Sequence, residues 1–418
     1  MHLESADQAA TSPLSPERLF RRYLNKRLRL FDVGGLRLRF PNGKVIQHKG
    51  REPGPTAVIE ISRWRLLRKL LLEGEIGLAR AYVDGDWSTP DLAAVLDFGL
   101  HNEASISVAT RGLPIGHFLN RIAHRRNANT RKGSRRNIAA HYDLGNDFYQ
   151  FWLDGDMTYS SAIFADDEET LEAAQARKLD RVVELLDLSG GEEVLEIGCG
   201  WGSLARRIVD AGARRLTGLS LSREQIDYAR ARVADGEQAA ALSFELRDYR
   251  SLTQRYDRVA SIEMFEAVGE AYWPVYFETL SRSLKPDGTA VLQIITIADA
   301  LFESYRARPD FIQQYIFPGG MLPTVEIVER EAARAGLQVD HYEPFGLSYA
   351  RTLEIWQQRF NVAWPEIERL GFDDRFRRMW NYYLTYCAIG FRHGSIDVGL
   401  FKLSPARDRV AAQATKQR

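Results

Sequence analysis

Val194-Leu195-Glu196-Ile197-Gly198-Cys199-Gly200-Trp201-Gly202-Ser203-Leu204 is the stretch on which the fold turns. Val194 to Ile197 is a short apolar run suited to a buried strand, and Leu204 to Asp210 has helical spacing. Between them the chain crosses a turn with glycine at 198, 200 and 202. Such a turn lets the backbone approach a ligand closely, and the start of the following helix offers free amide groups to it. Two ligand classes compete for this geometry. A dinucleotide fingerprint is spaced Gly-x-Gly-x-x-Gly and carries an acid about twenty residues later for the ribose hydroxyl. Here the third glycine comes too early, and no acid lies between Arg215 and Ser222. That spacing, Glu196 in front of the turn, and Asp248-Tyr249 after the third strand favour S-adenosylmethionine over a nicotinamide cofactor. A turn with no ligand is the third reading.

Outward from the turn, helical and extended segments alternate as in a doubly wound α/β sheet. Arg215 to Leu221 reads as the next strand, with Ser222 as N-cap and Gln225 three residues on. Leu242 to Leu246, Arg258 to Glu263 and Thr289 to Ile297 supply further strands, with Lys285 to Gly288 as a turn before the last of them. Asp299 to Pro323 reads as an irregular insertion. Two aromatic-rich helices follow, Ala350 to Ala363 and Arg375 to Phe391, and Ile396 to Leu403 is a closing strand. Insertions at the carboxyl edge of such a sheet are where acceptor pockets form. Towards the N-terminus, Leu36 to Phe40 and Lys44 to His48 flank Pro41-Asn42-Gly43 as a hairpin, and Thr56 to Ile61 is another strand. Ser62 to Leu72 is a basic, leucine-rich helix, either packed on a core or lying on an anionic membrane. Leu92 to Leu100 completes a small α+β domain. Arg121, Arg125, Arg126, Arg131, Lys132, Arg135 and Arg136 crowd a segment without acids, a solvated linker or a contact for phospholipid headgroups, with nucleic acid a third reading that the neutral whole and the lack of a base-reading motif weaken. The expected division is therefore 1–110 for the small domain, 111–136 for the linker and 137–418 for the catalytic domain, with pocket insertions at 298–325 and 349–394.

The chain has 418 residues, 45% of them hydrophobic and 11% aromatic, too many for one ordinary core. Lysine plus arginine (56) equals aspartate plus glutamate (56), so bulk charge gives no support for nucleic acid as a partner. Cys199 and Cys387, the two cysteines, lie in apolar stretches and suit a reducing compartment. The histidines show no metal-ligand spacing, so no metal is expected. No apolar run approaches the length of a membrane span, and the start lacks a secretory pattern. A cytoplasmic protein that meets the inner face of the membrane peripherally is the expectation.

Three further segments make the chain resemble the cyclopropane-fatty-acyl-phospholipid synthase family, which includes mycolic acid cyclopropane synthases and fatty-acid methyltransferases. They are Asn137 to Tyr149 running on through Leu153-Asp154 to Met157-Thr158-Tyr159-Ser160-Ser161, then Ser261 to Gly269, then Gln314 to Gly320 followed by Tyr349 and Tyr386-Cys387. The resemblance implies a class I S-adenosylmethionine-dependent methyltransferase with a Rossmann-like sheet. It implies one-carbon transfer to the double bond of an unsaturated phospholipid acyl chain at the membrane surface, and it leaves a homodimer open. It places Tyr159, Ser160, Gly198, Gly200, Ser220, Leu221, Gln225, Asp248 and Tyr249 around the cofactor, with Glu196 and Gly202 completing the loop. It places bicarbonate, as proton acceptor, on Glu266 and Tyr349, with Ser161, Gln293 and Cys387 beside it. Methylation of an alkene leaves a carbocation, which aromatic walls stabilise without capturing. The aromatic residues of Phe311 to Phe317 and Trp380 to Phe391 suit that demand, although core packing alone also accounts for any one ring. Two positions depart from the family: Ser161 stands for cysteine and Gln293 for histidine. An amide neither titrates near neutrality nor carries charge, which weighs against bicarbonate. Proton loss after a hydride shift would give a methyl or methylene branch instead of a ring. A methyltransferase acting on a soluble small molecule, and a lipid-binding module with a decayed site, are the competing readings.

Overall fold

The structure is a computed structural model that describes Leu28 and residues 30–103, 133, 144–234, 236 and 238–406. The basic run from Arg121 to Arg136 and the opening of the family segment, Asn137 to Asp143, lie outside the described residues. The chain divides into two compact units, Met1–Gly116 and His117–Arg418.

The first unit contains β1 (Val33–Arg39), β2 (Val45–Lys49), β3 (Glu52–Ile61), α1 (Arg65–Glu73), α2 (Glu75–Val83), β4 (Trp87–Ser88) and α3 (Leu92–His101). Its sheet runs β2-β1-β3-β4. The hairpin expected around Pro41-Asn42-Gly43 is there, with Leu38 paired to Ile46, and β3 lies parallel to β1 on its other side. Leu36, Leu38, Ala57, Ile61, Leu66, Trp87, Val95 and Phe98 form the core. Beside it Asp86 is fully buried and paired with Arg65 and with Lys69, whose Nζ is 2.7 Å from Oδ2.

The second unit contains α4 (Asn146–Gln150), α5 (Leu171–Leu186), β5 (Glu193–Ile197), α6 (Ser203–Asp210), β6 (Arg215–Ser220), α7 (Arg223–Val233), β7 (Leu242–Leu246), β8 (Tyr256–Ile262), α8 (Trp273–Ser283), β9 (Leu284–Ile297), α9 (Asp299–Ala307), α10 (Phe311–Tyr315), α11 (Val325–Arg334), β10 (Leu337–Pro344), α12 (Gly346–Val362), α13 (Trp364–Arg369), α14 (Asp374–Arg392) and β11 (Ile396–Pro405). The seven-stranded sheet runs β10-β11-β9-β8-β5-β6-β7. β5 to β9 pair in parallel, while β11 is antiparallel to both β9 and β10. Helices cover both faces, so the central strands are near-continuous apolar runs, as in Ala290-Val291-Leu292. From β5 the chain winds one way through β6 and β7 and then returns to β8 on the other side. The crevice at the carboxyl ends of β5 and β8 is the switch point where such sheets bind ligands.

Two expectations need correction. Lys285 to Gly288 is not a turn ahead of the strand but part of β9. The pairing with β8 jumps from Tyr256–Leu284 to Arg258–Thr289, so these residues bulge within the strand, and Lys285 Nζ is held 2.8 Å from Asp257 Oδ2. Asp299 to Pro323 is not irregular: it holds α9 and α10. Asp310 starts α10 with a capping box in which its side chain accepts from Gln313 N and the Gln313 side chain answers to the Asp310 backbone.

Candidate functional site

The glycine turn leaves β5 and enters α6 at the switch point. Gly198, Gly200 and Gly202 all have positive φ, at 86°, 51° and 87°. A side chain at Gly198 would meet Met264 Cγ at 3.0 Å, and one at Gly202 would meet Phe244 Cζ at 3.0 Å, so this turn admits only glycine. The amides of Gly198 and Cys199 both donate to Leu219 O at 2.9 Å, tying the turn to β6. Trp201 Nε1 donates to Asn146 Oδ1 at 2.7 Å and brings α4 against it. At the end of β6, Ser220 Oγ donates to Gln225 Oε1 at 2.8 Å, and Ser222 caps α7 through Gln225 N. Leu221 lies between them. After β7, Asp248 accepts from Arg250 Nε at 2.9 Å, and buried Tyr249 follows it. Glu196 is buried, and among the described residues its Oε2 has no hydrogen-bond partner. Burial pushes its carboxyl up to about 8 against the opposing charge of Lys178. An acceptor awaiting a donor beside a glycine turn that opens onto the crevice fits S-adenosylmethionine, whose ammonium can donate to it.

On the other side of the crevice, the segment after β8 presents Glu263, which the sequence reading passed over in favour of Glu266. Its backbone is left-handed, with φ 49°, a conformation uncommon for any residue other than glycine. Three donors fix its carboxylate: Ser161 N–H at 2.8 Å and Gln293 Nε2 at 2.6 Å on Oε1, and the Tyr349 hydroxyl at 2.6 Å on Oε2. The four residues come from the segment after β8, from β9, from α12 and from the segment between α4 and α5. The Ser161 hydroxyl turns away to Ala162 O, so it is the backbone at 161 that serves the site. Glu266 takes the N–H of Ile295, while its Oε2 is buried and, among the described residues, has no hydrogen-bond partner. Burial, then the neighbouring charge of Glu263, push the Glu266 carboxyl up to about 8. Burial also raises Glu263, but Tyr349, Ser161 N–H, Lys178 and Gln293 all oppose that rise. The pair therefore divides its roles, with Glu263 the carboxylate and Glu266 the acid that keeps its proton.

The donors expected to surround bicarbonate are thus assembled, but around a carboxylate of this chain. Tyr349 serves Glu263 rather than sharing an anion with Glu266. The residues do not fit a further free anion, because the three donors are engaged and two carboxyls already stand there. Cys387 lies on α14, where burial pushes its thiol well above the ordinary range; among the described residues it makes no hydrogen bond to this group.

Lys178 is the other residue that the sequence reading missed. It is fully buried on α5 and donates to Ser160 Oγ at 2.7 Å. Burial lowers its ammonium to about 8, while the charges of Glu263, Asp154 and Glu196 hold it up. Gln175 and Lys178 both occupy the buried stripe of α5 beside Ala174, Leu179 and Val182. Polar residues in an apolar helical stripe were the signal available in the sequence.

Tyr349 also belongs to an aromatic wall. Its ring lies 6.1 Å from Trp356, which is 5.4 Å from Tyr159. Tyr159 packs on Tyr149 and Trp152 and shares a 3.0 Å hydroxyl contact with Tyr383. α14 contributes Trp380 and Tyr383 as expected, whereas Tyr149, Trp152 and Trp356 were not anticipated.

A model of the mycolic acid cyclopropane synthetase family matches residues 129–401. The tuberculostearic acid methyltransferase of Mycobacterium tuberculosis is 38% identical over 347 residues, covering 80% of this chain and 79% of that protein. The cyclopropane-fatty-acyl-phospholipid synthase of Escherichia coli is 36% identical over 350 residues, covering 82% and 86%. Among solved structures, a mycolic acid cyclopropane synthase complexed with SAH and CTAB matches with a TM-score of 0.61 at 32% identity, over 64% of this chain and 97% of that one. Coclaurine N-methyltransferase, 18% identical with a TM-score of 0.61, shares the fold. The glycine turn at a class I switch point and these matches agree: the chain belongs to the mycolic acid cyclopropane synthetase family of S-adenosylmethionine-dependent methyltransferases.

Proposed function

We propose that the protein transfers one carbon from S-adenosylmethionine to the double bond of an unsaturated phospholipid acyl chain. The observation that carries this reading is the aromatic wall that runs from Tyr159 through Trp356 to Tyr349 and meets the half-buried carboxylate of Glu263. An alkene is a weak, neutral nucleophile, so its methylation needs an apolar slot, a place for the resulting cation and an acceptor for the proton. Aromatic faces and a carboxylate supply the last two without offering water. The names of the two relatives, a tuberculostearic acid methyltransferase and a cyclopropane-fatty-acyl-phospholipid synthase, support the same substrate class.

The cofactor supplies a methyl group activated on sulfur. Gly198, Gly200 and Gly202 let the backbone approach it, Glu196 receives its ammonium, and Ser220, Leu221, Gln225, Asp248 and Tyr249 line the adenosine side. Tyr159 and Ser160 cover it, with Lys178 fixing the Ser160 hydroxyl. The wall holds the acyl chain and shields the cation. Ring closure and branching both begin from that cation, and both add one CH2 unit.

Among the described residues, no helix is long and apolar enough to cross a membrane. We place the protein at the membrane surface, with α1 as one contact: Leu71 is exposed, and Arg68 stands on the same helix. The test is the lipid profile of a host with and without the protein. Unsaturated phospholipids that gain one CH2 unit are the expected result, and no change in any unsaturated lipid overturns the reading.

A further inference from the structure

The reaction proposed above ends with loss of a proton from an acyl cation, and something must receive it. A free anion does not fit, because Ser161 N–H, Gln293 Nε2 and the Tyr349 hydroxyl already donate to Glu263. We propose that the Glu263 carboxylate is itself the proton acceptor, a base tethered to the chain where a free anion would otherwise have to bind.

Four observations support this. The carboxylate is held by both oxygens, and Oε2 is bonded to Tyr349, whose ring is part of the aromatic wall. The backbone at 263 adopts a left-handed conformation that a glutamate takes up only when its surroundings enforce it, and such strain concentrates at functional sites. Glu266, next to it, is pushed up to about 8, so it retains a proton and leaves Glu263 as the charged member of the pair. Lys178, buried and, among the described residues, without a carboxylate in hydrogen-bond contact, supplies positive charge to the same region. A base with donors on both oxygens keeps its charge in an apolar site and still has lone pairs to offer.

The π electrons of the acyl double bond form the new bond to the methyl carbon as the carbon–sulfur bond breaks, leaving a cation on the other alkene carbon. A C–H electron pair then becomes the third bond of a ring, if the proton leaves the new methyl group, or a methylene double bond, if it leaves after a hydride shift. In either case the proton passes to a Glu263 oxygen and later to solvent.

The proposal rests on the lipid reading, and the test separates the two. The full-length enzyme is assayed for transfer of labelled methyl from S-adenosylmethionine to vesicles of mixed unsaturated phospholipids, in buffer freed of bicarbonate and again with bicarbonate added. Wild-type turnover is expected to be indifferent to bicarbonate. Glu263→Gln keeps the shape but not the basicity and is expected to lose roughly 100-fold in kcat or more, while still binding S-adenosylmethionine by calorimetry. Glu263→Gly suits the backbone at 263 and opens space for a small anion. Its low rate is expected to recover when formate or bicarbonate is added, a rescue that a merely structural glutamate would not show. Wild-type turnover that requires added bicarbonate, or a Glu263→Gln enzyme as fast as wild type, overturns the proposal while leaving the lipid reading intact. A wild-type enzyme that labels no lipid overturns both.

Discussion

Tyr349 contributes one hydroxyl to the site, 2.6 Å from Glu263 Oε2, and hydrogen bonds to charged groups are worth about 1.5–3 kcal/mol. Tyr349→Phe is therefore expected to reduce kcat by roughly 10- to 100-fold at neutral pH. The pH profile gives the finer reading. Glu263 works as the anion and its pKa is already raised by burial, so activity falls as pH drops through that value. Loss of a donor raises it further, and the acidic limb of the kcat profile should move to higher pH in Tyr349→Phe. An unmoved limb would mean that the hydroxyl does not serve the carboxylate. At this scale the sequence was partly legible. Tyr349, Gln293 and Ser161 all came from family resemblance, and the structure gathers all three. Glu263 was within the quoted segment yet passed over, because no periodicity shows that a residue after a strand end has turned left-handed. Lys178 was passed over for a different reason: a lysine in a helix is ordinarily solvated, and only its place in the apolar stripe of α5 marked it as buried.

The elements themselves were read more fully. The strands of the parallel sheet are short apolar runs with sharp boundaries, and the glycine turn between β5 and α6 fixed which strand stood at the switch point. Gly202→Val tests that turn. Its φ of 87° and the 3.0 Å approach of Phe244 make any side chain strained, at a cost of roughly 1–3 kcal/mol. Calorimetry is expected to show at least about tenfold weaker S-adenosylmethionine binding, with a lower denaturation midpoint. Unchanged affinity would remove the turn from the cofactor site. The two misread elements have separate causes. Lys285-Pro286-Asp287-Gly288 has the composition of a turn, yet the bulge and the pairing of Lys285 with Asp257 keep it within β9. α10 is a five-residue helix, too short for a period to register, and its capping box is visible only once Asp310 is known to start it. Tertiary pairing overrode local composition in the first, and short length concealed the second.

Across the whole molecule, buried charge links folding to pH. The Glu266 carboxyl is pushed up to about 8, well above that of an unfolded glutamate, so folding retains its proton. The stability it contributes is present in full below about pH 4 and is lost as pH rises through about 8, at no more than about 1.4 kcal/mol per pH unit. Glu196 acts in the same direction. Lys178, lowered to about 8, acts oppositely: its contribution is present at high pH and is lost as pH falls through about 8. Denaturation of wild type and Glu266→Gln across this range should show the variant gaining on wild type as pH rises, and a constant difference would mean that Glu266 is ionised throughout. In the first unit, Asp86→Ala leaves Lys69 without one of its two carboxylates and should lower stability by about 3 kcal/mol, as measured by chemical denaturation. The left-handed backbone at 263 has one more consequence. Glycine adopts that conformation freely, and glutamate and glycine codons differ by a single base. One point mutation therefore separates an enzyme that carries its own base from one with an open anion pocket, so a lineage could exchange dependence on dissolved carbonate for independence of it in one step, with the surrounding donors already in place.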